Sequence, residues 1–231
     1  ICLFPCILLL GWSTSMKFVF FGAPGVGKGT MSIRSSQEFN VPHISTGNIF
    51  RAAIRDGTPL GIAVKSIIEA GGLVSDDLTI KLVRERLAMP DVAGGWMLDG
   101  YPRTIPQAKA LDADASGYHV IDLEAPDSVI IERLSGRRMC LHCGRSYHLV
   151  HMPPAVPGVC DQCRTALSVR DDDSEKAIRN RLAAYRALTA PLVEFYRERG
   201  SMITISAESD ADTVWNELRS VLAALMGVQS R

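Results

Sequence analysis

Lys17-Phe-Val-Phe-Phe21-Gly22-Ala-Pro-Gly25-Val-Gly27-Lys28-Gly29-Thr30 decides how this chain is read. The apolar, aromatic-rich run Lys17 to Phe21 stops at Gly22 and reads as a fully buried strand. The glycine-rich turn then opens a helix expected to reach about Phe39. The turn fits the first seven positions, G-x-x-x-x-G-K, of a phosphate-binding loop. Glycines let backbone N–H groups converge on phosphate oxygens, the helix N-terminus adds a partial positive charge, and Lys28 adds a full one. Gly25, Val26, Gly27, Lys28, Gly29 and Thr30 are therefore candidate phosphate ligands. Gly29 follows the lysine and the hydroxyl comes one place later, at Thr30, so a magnesium contact through water is expected. A chance glycine turn is the alternative, and the flanking strand and helix count against it.

Working outward, short strands are expected at His43 to Ser45, Trp96 to Leu98, His119 to Leu123 and Met202 to Ser206. Helices are expected over Thr46–Asp56, Leu60–Ala70, Asp76–Ala88 with Ser75 as N-cap, Asp127–Leu134 and Thr213–Met226. A long helix over Ser174–Glu198 should bend at Pro191. Strands alternating with helices predict an α/β fold, a parallel five-stranded sheet with helices on both faces.

The 231 residues carry 25 Lys and Arg against 25 Asp and Glu, with 47% apolar and 22% charged residues. That balance excludes a disordered chain, a collagen or a coiled-coil rod. Zero net charge argues against nucleic acid or an acidic membrane as a partner held by bulk charge. Ile1 to Trp12 are almost all apolar, yet too few for the ~20 residues of a membrane span. No basic stretch precedes them, and the first Met is Met16. Residues 1–15 are expected to be an extension outside the fold, from upstream translation or an incomplete precursor rather than a targeting segment.

Trp96-Met-Leu-Asp99-Gly-Tyr-Pro-Arg103-Thr-Ile-Pro-Gln107 is the second informative stretch. Asp99 ends an apolar strand, where a parallel sheet presents groups to a ligand, and its carboxylate can orient a magnesium ion's water shell. Arg103 can grip a phosphate with two prongs. The Gln107 amide suits a purine edge.

Cys140-x2-Cys143-x16-Cys160-x2-Cys163 lies in a segment, Gly136 to Asp173, that loses the helical and strand periods. The spacing is that of a four-cysteine zinc site, and four ligands make the metal structural. Two disulfides or free thiols are the alternative. Paired C-x-x-C units point to a reducing, cytoplasmic setting. Gly144 follows the first pair but Arg164 follows the second, where a left-handed backbone costs a non-glycine residue about 1–2 kcal/mol. His142 is left out of the ligand set. His43 is expected to be a satisfied structural histidine, and His148 and His151 insert surface.

These segments, with Ser45-Thr46-Gly47, resemble an adenylate kinase of the bacterial nucleoside monophosphate kinase family, over Met16 to about Met226. The resemblance implies a P-loop fold and reversible transfer of the terminal phosphoryl of MgATP to AMP, giving two ADP. It implies a core of residues 16–44, 75–135 and 174–231, an AMP-binding arm of 45–74 and a zinc-bearing lid of 136–173. The AMP site would comprise Thr46, Arg51, Gly72, Leu73, Val74, Gly100, Tyr101, Pro102, Arg103, Gln107, Arg170 and Arg181. Arg133 would stack on the ATP base, with Ser146, Tyr147 and Ser209 near ATP. Lys28, Arg103, Arg137, Arg170 and Arg181 would surround the transferring group. Cofactors would be structural zinc in the lid and magnesium with ATP; the protein would be a monomer.

The chain departs from the family pattern at Asn48, where Asp is common, and at Met31 and Ser32, where Gln-Ala is usual. Arg55, Arg84, Arg86, Arg197 and Arg199 read as solvated surface. A GTP-using or other monophosphate kinase is the alternative within the class. A zinc-ribbon nucleic-acid-binding or scaffold protein is the alternative outside it, with Arg137, Arg138 and Arg145 near the ribbon.

Overall fold

The computed structural model describes residues 16–227, so the expectation for residues 1–15 falls outside the described residues. The apolar run becomes β1 (Met16–Gly22). After it come α1 (Lys28–Phe39), β2 (His43–Ser45), α2 (Thr46–Arg55), α3 (Pro59–Glu69) and α4 (Asp76–Leu87). Then come β3 (Gly95–Asp99), α5 (Ile105–Asp114), β4 (His119–Glu124) and α6 (Asp127–Ser135). The cysteine insert supplies β5 (Arg137–Cys140), β6 (Ser146–His148) and β7 (Leu167–Ser168). The chain closes with α7 (Glu175–Ala184), a π turn (Tyr185–Thr189), α8 (Ala190–Arg197), β8 (Met202–Ser206) and α9 (Ala211–Leu225).

β1 occupies the centre of a parallel sheet ordered β2-β3-β1-β4-β8, with Val19 opposite both Leu98 and Val120. Both faces are covered, which is why β1 is apolar without alternation. Phe18 and Phe20 pack with Met97, Ile121 and Leu123 beneath α1 and α9. Val19 and Phe21 pack with Leu98, Val120, Leu192 and Tyr196 on the other face. Each such side chain stabilises the fold by roughly 1.5–3 kcal/mol of apolar burial. From β1 the chain crosses to β2 and returns through β3 on one side, then crosses to β4 and β8 on the other. That reversal opens a crevice at the carboxyl ends of the strands.

Three local expectations change. Ser75 stands at the start of α4 but makes no side-chain cap; instead the Thr79 hydroxyl donates to the Ser75 carbonyl at 2.9 Å. Helix α5 adds an element that the apolar pattern did not reveal. Its signals are Thr104, whose side chain accepts from the Gln107 N–H, and a proline in the first turn. The long helix around Pro191 breaks by widening: the π turn precedes α8, whose first turn holds the proline. A missing N–H is tolerated in a first turn. The cysteine insert, aperiodic in sequence, forms a three-stranded antiparallel sheet ordered β6-β5-β7.

Asp122 on β4 is 1% exposed, and neither carboxylate oxygen has a hydrogen-bond partner. Burial, with Glu124 beside it, pushes the carboxyl up to about 6 against the pull of Lys28. A raised native pKa means that its stabilising contribution is present at low pH and lost as pH rises through about 6. Asp122→Asn should therefore raise the unfolding free energy at pH 7.5 by about 1–2 kcal/mol, the gain shrinking toward pH 4. Denaturant titrations at both pH values measure this; a pH-independent difference would contradict it.

Candidate active site

The phosphate loop joins β1 to α1. Gly22 has φ of 127°, and a Cβ there would stand 2.3 Å from the Leu123 carbonyl oxygen. Gly27, the N-cap of α1, has φ of 115°. Both positions require glycine. The first N–H groups of α1 have no helical acceptor and face the cleft mouth. Lys28 Nζ curls back to donate to the carbonyls of Gly22 at 2.7 Å and Ala23 at 2.8 Å. Burial pulls this ammonium down to about 8, opposed by the charge of Asp99. Met31 and Ser32 are buried, and the Ser32 hydroxyl donates to the Lys28 carbonyl at 2.8 Å. The departure at these two positions is thus one of packing.

Asp99, at the end of β3, faces the loop: a Cβ on Gly29 would lie 3.5 Å from its Oδ2. Burial pushes its pKa up, but His43, Lys28 and Arg103 outweigh that and hold it at about 2. His43 Nε2 lies 3.6 Å from Asp99 Oδ2 and has no hydrogen-bond partner. The expected satisfied histidine instead lines the cleft with a buried ring nitrogen that lacks a hydrogen bond.

On the α2–α3 side, Thr46 donates to the Gly100 carbonyl at 2.9 Å, and Arg103 Nε donates to the same oxygen at 2.8 Å. Arg51 donates to Asn48 Oδ1 at 2.8 Å. Asn48 thus keeps the acceptor that the arginine uses while removing a charge. Gln107 is 2% exposed and engaged at both ends. Its Oε1 accepts from the Arg103 N–H at 2.8 Å, and its Nε2 donates to Asp76 Oδ1 at 2.8 Å.

Across the cleft, Asp172 receives two hydrogen bonds from Arg170, each 2.8 Å. Arg181 lies 3.3 Å and Arg51 3.9 Å from the same carboxylate. Asp173 receives Arg137, including Nε at 2.7 Å, and Arg181 at 2.8 Å. Burial works against the Asp172 carboxylate, but Arg170, Arg181 and Arg51 depress its pKa strongly. Burial, with Arg170 nearby, pulls Arg51 down to about 9 and Arg137 to about 10, both still protonated at neutral pH. Asp172 and Asp173 were missed in the sequence because nothing in Arg170-Asp-Asp-Asp says which acids turn inward.

Arg133 is pinned by four carbonyls, those of Val26 (3.0 Å), Ala207 (2.6 Å), Glu208 (3.3 Å) and Ser209 (2.8 Å). Ser146, Tyr147, Ser209 and Gly72 to Val74 line the same cleft of about 490 Å³, as do the phosphate loop and Arg51, Arg103, Arg133, Arg137, Arg170 and Arg181. Tyr101 does not: it is 2% exposed in the core, its hydroxyl donating to the Gln107 carbonyl at 3.1 Å. Tyr147 turns its hydroxyl to Cys160 Sγ (3.4 Å) and accepts from the Asp161 N–H at 2.8 Å. His148 is not simple insert surface. Its Nε2 is buried without a partner, while Nδ1 accepts from the Val150 and His151 N–H groups. The five arginines read as surface pair with Asp56, Asp114, Asp91, Glu194 and Asp112 respectively.

The four cysteines bring their Sγ atoms within 4.8 Å of one another. The pairs Cys140–Cys163 and Cys143–Cys160 are 3.3 and 3.5 Å apart. That is far beyond the ~2.0 Å of a disulfide. It is near the edge, about 3.8 Å, of a tetrahedron with ~2.3 Å zinc–sulfur bonds. The two knuckles close alike: Gly144 N–H donates to the Cys140 carbonyl at 2.9 Å, and Arg164 N–H to the Cys160 carbonyl at 3.0 Å. Gly144 has φ of 76° and Arg164 of 61°, so the arginine does occupy a left-handed position. The donor set fits zinc.

A parallel sheet with a phosphate loop on its central strand, facing an arginine-rich cleft, defines a P-loop enzyme of the phosphoryl-transfer class. The family model for adenylate kinase matches residues 20–201. An adenylate kinase of Methanothrix thermoacetophila is 47% identical over 213 residues, 90% of this chain and 99% of its own. One of Acetivibrio thermocellus is 45% identical over 219 residues, 93% of this chain and all of its own. One of Moorella thermoacetica is 50% identical over 190 residues, 80% of this chain and 88% of its own. This chain belongs to the adenylate kinase family, whose members use magnesium with ATP.

The zinc site yields a two-part prediction. Cys140→Ser with Cys143→Ser should lower the zinc content from about one per chain and depress the melting temperature. Arg164→Gly should do the reverse, relieving about 1 kcal/mol of backbone strain and slowing zinc loss to a chelator. Elemental analysis and chelator kinetics measure both; an unchanged zinc content in the double serine variant would contradict the site.

Proposed function

We propose that this chain catalyses reversible transfer of the terminal phosphoryl group of MgATP to AMP, giving two ADP. The supporting observation is that one cleft holds the phosphate loop at one end, the Thr46–Arg51 and Gly100–Gln107 groups at the other, and the arginine cluster between them. Such transfer needs alignment, charge neutralisation and exclusion of water rather than a protein nucleophile.

In this reading the phosphate loop and Lys28 hold the donor chain, and Arg133 presents a flat guanidinium to the donor base. Thr46, Arg51, Arg103 and the Gly72–Val74 backbone hold AMP. The Gln107 amide faces AMP after giving up one of its present partners. Arg137, Arg170 and Arg181 exchange their aspartate partners in part for the transferring group. Magnesium would come with ATP, and the Asp99 carboxylate would orient its water shell. The arm (45–74) and lid (136–173) close over the substrates and keep water from the reacting phosphorus.

The protein acts as a monomer in this reading. Among the described residues no helix is long and apolar enough to cross a membrane. A cytoplasmic site of action fits the four unpaired thiols. Nucleic acid is not favoured as a partner. Arg137 is held by Asp173, Arg138 caps backbone carbonyls, and Arg145 lies over the Tyr147 ring at 5.7 Å.

Purified protein given ATP with AMP, GMP, CMP or UMP should form diphosphate fastest with AMP; no product with any acceptor would refute the proposal. Lys28→Met should lower turnover by more than ~100-fold in a folded protein. Because burial holds Lys28 at about 8, kcat/KM for ATP should fall as pH rises beyond 8 and the ammonium is lost. A profile flat to pH 10 would count against Lys28 as the phosphate-binding cation.

A further inference from the structure

Arg103 sits in a loop, and its position is set by contacts from several elements. Its backbone N–H donates to Gln107 Oε1 at 2.8 Å, and its Nε donates to the Gly100 carbonyl at 2.8 Å. Behind these, Asp76 Oδ1 accepts from Gln107 Nε2 and from the Thr104 hydroxyl, both at 2.8 Å. Those contacts come from the β3–α5 loop and from α4 and α5. From the opposite side, the Thr189 hydroxyl donates to the Arg103 carbonyl oxygen at 3.0 Å, across 86 residues of sequence.

Thr189 is the last residue of the π turn, is 6% exposed and lines the cleft. The turn is what aims it. Successive residues of an α-helix rotate by about 100°, so the extra residue of a π turn re-aims the side chains beyond it. Pro191, two places on, has no N–H to continue the ladder, which gives the wide turn a cause in the sequence. A part-buried carbonyl with a directed donor is held in place, and losing that donor leaves the oxygen unsatisfied and the loop free to shift.

We infer that Thr189 is a positioning residue for the phosphoryl-transfer reaction. Its hydroxyl fixes the backbone of Arg103, and hence the direction from which the guanidinium meets phosphate. The inference rests on the proposed role of Arg103 at a substrate phosphate. The π turn thereby transmits the packing of α8 to the reacting groups.

Four variants decide the matter: Thr189→Val, Thr189→Ser, Arg103→Ala and the double Thr189→Val/Arg103→Ala. Thr189→Val keeps the shape and removes the hydroxyl. It should lower kcat by about tenfold, since a misplaced group costs up to ~100-fold. The KM for ATP should stay near the parent value, and the melting temperature should fall by a few degrees because the Arg103 carbonyl loses its donor. Thr189→Ser should restore kcat. In the Arg103→Ala background, Thr189→Val should add no further loss, because it acts only through Arg103. Wild-type kcat in Thr189→Val, or an additive loss in the double variant, would overturn the inference while leaving the proposed reaction intact. Wild-type kcat in Arg103→Ala would overturn the role of Arg103 and the inference with it. Should the valine variant fold poorly, Thr189→Ala is read in the same way.

Discussion

Repulsion among Lys28, Arg51, Arg103, Arg137, Arg170 and Arg181 is the constraint on which the cleft depends. Two like charges 4 Å apart cost about 4 kcal/mol at the effective dielectric of a protein surface. Six of them cannot share a half-buried cavity without counter-charge. Asp172 and Asp173 supply it to the arginines, and Asp99 supplies it beside Lys28. Among these groups the three carboxylates leave an excess of positive charge, which suits two phosphate chains and the group passing between them, while the wider lining adds Arg133 and the acids Glu132, Glu208 and Asp210. The whole chain is neutral, so this charge is concentrated by folding and not by composition.

The architecture brings those charges together from remote parts of the chain. The central strand ends in the phosphate loop, and β3 carries Asp99 to the same edge of the sheet. Arg51 comes from α2, Arg137 from β5, and Arg181 from α7. The cysteine knuckles form a small buried nucleus, Cys140, Tyr147 and Cys160, in an insert otherwise short of apolar side chains. Zinc in that nucleus would hold the insert rigid enough to present Arg137 and Arg170 on either side of it. The α2–α3 arm meets the insert where Arg55 approaches the Leu141 carbonyl at 3.4 Å.

Much of this was legible in the sequence, for a physical reason. The phosphate loop, the Asp99–Arg103 turn and the cysteine knuckles are local: strand, turn and ligand spacing lie within a few residues of each other. Contacts that depend on remote partners were not legible. Nothing in the Tyr101 neighbourhood says that its ring enters the core while Pro102 faces the cleft. Gln107 looks like a free amide until Asp76, on another helix, engages it. The place of His43 beside Asp99 depends on the pairing of β2 with β3, which sets Ser45 opposite Asp99. The π turn was foreshadowed by Pro191, but a bend and a widened turn read alike in sequence.

The central claim is that two nucleotides meet phosphate to phosphate in this cleft, with the arm and the lid shut over them. Hydrogen exchange with and without a bisubstrate mimic, two adenosines joined through a phosphate chain, tests it most directly. The account predicts slower exchange in both residues 45–74 and residues 136–173 on binding. Slowing in one segment alone, or in neither, would contradict a cleft closed from both sides.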